Sequence, residues 1–292
     1  MNKLFKTSGL ILLYLVIYYF FQIFYTLGLG FVLGTKHAEL FGTDAFEEII
    51  NQKVMEHIPI SLIFAAFVSV IIYYLICKKR NESFLNVCKF NKMSLKHVAI
   101  LIPVGISIYF INIFVLNVVH GLGLFADSFA QHEESMGFIL GDNLFLTILA
   151  VGIVVPIIEE IIFRGLVFSE LKKHLSLKVT IVIQAALFGL YHMQLIQGVY
   201  TFLFGILLGL VYVWLKSIWA PIILHALLNL SSIIMVEYAS PDFFNNYLFI
   251  SFIISVVVTV SVFTYLYKNK VEAVDSFEED IVDIVEEDHP DS

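Results

Sequence analysis

Eight long apolar stretches, most of them about as long as a bilayer is thick, decide what this chain can fold into. They run over 9 to 33, 58 to 77, 98 to 118, 144 to 168, 178 to 197, 199 to 215, 219 to 237 and 247 to 267. An α-helix rises about 1.5 Å per residue, so roughly 20 apolar residues cross about 30 Å of hydrocarbon. With 59% hydrophobic and only 14% charged residues, the chain is too apolar for a soluble globular domain. The expectation is an all-α polytopic membrane protein of about eight transmembrane helices around a buried polar site. Residues 1 to 143 supply the N-terminal helices, 144 to 237 a polar-bearing core and 238 to 270 the last crossing. Residues 271 to 292 form an acidic tail.

Lysine and arginine set the orientation, because basic loops stay in the cytoplasm. Lys3, Lys6, the six basic residues between 78 and 96, Lys172, Lys173, Lys178, Lys216, Lys268 and Lys270 fall on one side, fourteen of seventeen. Lys36 and Lys53 fall on the other, and Arg164 lies within a crossing. Both termini are therefore expected in the cytoplasm, and the first run reads as a retained helix, since no small-residue cleavage site follows it. The net charge of −8 comes from the tail: ten of the 25 carboxylates lie beyond residue 270. That segment reads as solvated chain. Its docking alternative is a helical face of Phe277, Ile281, Ile284 and Val285. Cys77 and Cys88 fall on the cytoplasmic side, where thiols stay reduced. Gly205 and Gly209 have the spacing that lets two membrane helices approach closely.

Against this apolar background, "VVPIIEEIIFRGLVF" (154 to 168) carries two glutamates and an arginine. A charge at a helix centre costs about 2.5–3.5 kcal/mol on insertion scales, so these groups need partners. Glu160 and Arg164 are four apart and pair on one helix face. Glu159 points about 100° away and needs a partner from another helix, or a proton. "ALFGLYHM" holds His192, and "WAPIILHALLNL" holds His225 and Asn229 on one face. Counted from the nearest cytoplasmic lysine, Glu159, His192, His225 and Asn229 lie roughly 13–21 Å deep. Pro156 is expected to loosen its helix and free a carbonyl beside the glutamates. Pro221 suits a first helical turn and Trp219 an interfacial anchor. Interhelical glue would explain any one of these groups. It does not require acid, base and donor types at one depth.

In order along the chain, E-E-x-x-x-R (Glu159, Glu160, Arg164), F-x-x-x-H (Phe188, His192) and H-x-x-x-N (His225, Asn229) resemble the CPBP family. This is the CAAX protease and bacteriocin-processing, or Abi, group of intramembrane endopeptidases, to which the Ras-converting type of CAAX prenyl protease belongs. The resemblance covers about 144 to 237. It implies a peptide or protein substrate in the membrane, cut near the cytoplasmic side, and no nucleic-acid partner. It further implies that Glu159 and His192 activate a water, that His225 and Asn229 donate to the oxyanion, and that Glu160 and Arg164 brace the site. A metal-free water is chemically sufficient. The metal alternative is Zn2+ or another divalent ion held by Glu159, His192 and His225. Two further readings are a proton-coupled transporter, since membrane carboxylates and histidines also relay protons, and a non-catalytic regulator or bacteriocin-immunity protein. The Ile, Lys, Asn and Phe residues together hint at an AT-rich bacterial genome, and with it a bacterial cytoplasmic membrane.

Overall fold

Polar caps and reversals divide the apolar runs into helices. The computed structural model describes residues 3–140 and 143–270, and the acidic tail with its Phe277 to Val285 face lies outside the described residues. Nine helices of eight or more residues are described: α1 Lys3–Lys36, α2 Asp44–Lys79, α3 Leu95–Gly121, α4 Ala126–Leu140, α5 Leu144–Lys172, α6 Leu177–Tyr191, α7 Leu195–Leu215, α8 Trp219–Tyr238 and α9 Pro241–Lys268. Among the described residues there is no strand. Thr43, Ser94, Asn143 and Ser240 start α2, α3, α5 and α9, each side chain accepting from a backbone N–H three residues on.

Seven of these helices are long and apolar enough to cross a membrane. The fifth run, expected as a full crossing over 178 to 197, instead gives α6, a helix of 15 residues. At about 1.5 Å per residue it is roughly 22 Å long. It stops because His192 caps it, Met193 takes a left-handed φ of 53°, and Gln194 already caps α7. Gly189 and Gly198 make this reversal possible: a Cβ on Gly189 would sit 2.5 Å from the Gly198 carbonyl oxygen.

Helix α5 is the hub, packed against α1, α2, α6 and α8. Helix α7 fills the space between α6 and α8, and α3 lies between α8 and α9. The Gly205 and Gly209 spacing serves packing, as expected, with Gly205 against Ala185 and Gly209 against Ile181 and Gln184.

The basic loops converge on one end. Arg80 bridges to Glu170 at 2.8 Å and to Glu82 at 3.0 Å, and Lys173 closes the same group on Glu82 and Glu170. Ile218 N–H donates to the Lys89 carbonyl, Asn91 Nδ2 to the Lys216 carbonyl, and Ser217 Oγ to the Asn91 carbonyl. Cys77 and Cys88 are free, buried thiols at this end.

Candidate active site

Helix α5 changes register around its glutamates. Val155–Glu160 is α-helical, while Ile148–Val154 before it and Ile161–Val167 after it are wound as wider π-turns. Such turns are rare and tend to occur at functional sites. In this register Val155 N–H donates five residues back, to Ala150 O. The next donor to Val151 would be residue 156, a proline without an N–H. The carbonyl so released accepts instead from Asn229 Nδ2 on α8, at 2.8 Å. Pro156 thus frees a carbonyl as the sequence led one to expect, and that carbonyl is what holds Asn229.

Glu160 and Arg164 pair along α5 at 2.9 Å, with both side chains wholly buried. Arg164 Nη2 also donates to the Gly205 carbonyl, which Gln184 Nε2 reaches from α6. The guanidinium lies over the Phe188 ring, 4.6 Å from its centroid. From α8, His225 Nδ1 approaches the same Glu160 Oε1 at 2.8 Å. A carboxylate can only accept, so Nδ1 carries the proton. Glu160 Oε2 and Arg164 Nε are buried without a hydrogen-bond partner in the described structure.

Glu159 faces the other way, into a cavity of about 800 Å³ that His192, His225 and Asn229 also line. The partner it needs from another helix is His225, whose Nε2 stands 3.7 Å from Glu159 Oε2. That separation exceeds a hydrogen bond and leaves a gap between the two groups. His192 Nδ1 lies 2.9 Å from the Phe188 carbonyl. A carbonyl only accepts, so His192 Nε2 is left as the acceptor. The Phe188 ring contacts both imidazoles edge-on, with centroids 5.0 Å from His192 and 5.7 Å from His225.

Three further groups were not singled out from sequence. Tyr19 on α1 lines the cavity and donates to the Tyr191 carbonyl at 2.5 Å. Gln194 at the reversal donates to Ser135 on α4. His132, also on α4, approaches Gln194 at 3.5 Å, and burial pushes its pKa down against the opposing pull of Gln194 and Glu133. These residues lie in α4, at a helix end or in a tyrosine-rich run, where no period or spacing distinguishes them.

Among the described residues no three His, Cys, Asp or Glu side chains are gathered as a metal-ligand set.

The cavity lies on the opposite side of the glutamates from the lysine-rich loops. On α3 its lining begins at Tyr109 and continues to His120; on α7 it runs from Gln197 to Phe204, and on α8 from His225 to Val236. Toward the basic end, Ile162, Phe163, Leu166, Phe168, Leu208 and Tyr212 are at most 2% exposed. Bulky side chains thus fill the half of the bundle toward the basic loops, and the cavity occupies the other half.

A family model described as "Type II CAAX prenyl endopeptidase Rce1-like" matches residues 141–231. A protein of Bacillus subtilis (strain 168) named "Putative membrane peptidase YdiL" is 33% identical over 90 residues, which make up 31% of this chain and 37% of that protein. The alignment thus spans little more than a third of that relative's length. No solved structure gives a match. The matched segment contains Glu159, Glu160, Arg164, His192, His225 and Asn229 together with the helices that bring them to one cavity. The similarity to the Rce1-like type II CAAX prenyl endopeptidase family thus lies in residues 141–231, the segment that carries the candidate site.

Proposed function

We propose that this protein is an intramembrane endopeptidase of a bacterial cytoplasmic membrane that hydrolyses a peptide bond with a water activated by Glu159 and His192. The observation that carries the reading is one cavity lined by a carboxylate, two imidazoles and an amide drawn from three parts of the chain. The match of the same segment to the Rce1-like family model supports it.

Glu159 takes a proton from the water while His192 Nε2 accepts a hydrogen bond from the hydrogen that stays on the oxygen. The resulting hydroxide attacks the scissile carbonyl carbon. Glu159 then passes its proton to the departing amine, so the products are a carboxylic acid and an amine. Charge on the tetrahedral oxygen needs donors. Asn229 spends one amide N–H on Val151 and keeps the other. His225 has its Nδ1 proton on Glu160 and donates from Nε2 only when doubly protonated. Glu160 and Arg164 act through His225 and never touch substrate.

The test compares membrane-derived peptides from cells carrying the wild type or Glu159→Gln at equal levels of folded protein. Peptides present only with the wild type are expected. Identical peptide sets would remove the proposal and return weight to a regulatory role.

A further inference from the structure

We infer that the cavity takes its substrate from the extracytoplasmic face, and that it accepts an internal stretch of polypeptide at the outer end of a membrane segment. The inference rests on the peptidase reading for its substrate class. Its sidedness stands on the position of the cavity relative to the basic loops.

Two observations meet here. Basic residues mark the cytoplasmic end of a membrane protein. The loops carrying Arg80, Lys89, Lys173 and Lys216 are tied together at one end by the ion pairs and hydrogen bonds given above. Every described stretch of cavity lining runs from mid-helix away from that end. It reaches α4, where His132, Glu133 and Ser135 form a lip over the reversal at Gln194. The cytoplasmic half is filled by the apolar plug around Phe163 and Tyr212.

The lining also says what would enter. No described lining residue is a lysine or arginine, so nothing there selects a phosphate or a chain-terminal carboxylate, the groups that basic side chains recognise. Asn112, Asn117, Gln194 and Gln197 line it instead, beside Asn229. Each amide side chain both donates and accepts, which matches the alternating N–H and C=O of an extended peptide. At about 800 Å³ the cavity is within the size range of pockets that enclose compact ligands, suiting a few residues and not a folded domain.

Sidedness is read by cysteine labelling in intact cells with a membrane-impermeant maleimide. Asn117→Cys in the cavity and Glu133→Cys at the lip are compared with Lys216→Cys, and the native thiols Cys77 and Cys88, both 0% exposed, stay silent. The expected result is labelling of the first two in intact cells and of Lys216→Cys only after permeabilisation. The reverse pattern, or an Asn117→Cys thiol reached from neither side, overturns the inference. Because labelling needs no turnover, it succeeds or fails independently of the cleavage test. Where cleavage is found, new chain ends should map to the extracytoplasmic ends of membrane segments. Ends confined to cytoplasmic loops would also overturn it.

Discussion

Glu159 and Glu160 are neighbours in sequence with opposite duties, and substitution should separate them. Glu160 lies wholly buried between Arg164 and His225. Glu160→Ala leaves a buried guanidinium uncompensated, a change that typically costs about 3–5 kcal/mol, and a clear drop in the melting temperature of the detergent-solubilised protein is expected. Glu159→Gln removes the proposed base but conserves shape, so melting should hold while cleavage disappears. Removing one oxyanion donor lowers kcat about 10²–10³-fold, and Asn229→Ala should fall in that range with a smaller change in KM. An Asn229→Ala enzyme with unchanged kcat would exclude the amide from the transition state. The Glu160–Arg164 pair was legible from four-residue spacing alone. That His225 shares Glu160 and only approaches Glu159 was not, because sequence gives the face of a helix and not which neighbouring helix meets it.

Among the elements, α5 and the reversal after α6 control the site. Seven of the eight apolar runs become helices of spanning length because long hydrophobic stretches leave the backbone no other way to satisfy its amides. The fifth does not, since its apolar composition hides a turn made by Met193, Gln194 and two glycines that approach through their backbones. A hydropathy pattern carries no record of such contacts. Gly189→Ala would drive its Cβ to 2.5 Å from the Gly198 oxygen, an overpacking expected to cost about 1–3 kcal/mol and to displace His192. Pro156→Ala is the subtler change. It restores an N–H able to bond Val151, competes with Asn229 for that carbonyl, and should lower kcat at least tenfold with melting unchanged or raised. Full activity in Pro156→Ala would mean that the released carbonyl does not position Asn229.

Across the whole molecule, one end is closed by charge and apolar packing and the other receives the cavity. The closed end contains Arg80, Glu82, Glu170 and Lys173 in one ion-pair group. Burial raises the Glu82 carboxyl, but hydrogen bonds from Arg80 and Lys173 outweigh it and hold the group below its ordinary range. A lowered carboxyl stabilises the fold above its unfolded value, near 4.3, and loses that contribution as pH falls through the lowered value. Arg80 is partly exposed and Lys173 still pairs with the buried Glu170 after substitution, so Arg80→Ala should cost about 1 kcal/mol or less near neutral pH. The melting difference from wild type should shrink as pH drops below about 4; a difference that persists there would assign the effect to packing of the arginine stem. Which end is basic could be counted from the loops, whereas the side on which the cavity opens depends on how large side chains stack within the bundle. The most direct measurement is hydrolysis, by purified protein in liposomes, of a substrate recovered from the peptide comparison. The wild type should cleave it and Glu159→Gln, equally folded, should lose at least a thousandfold in kcat; comparable cleavage by the two would contradict activation of a water by Glu159.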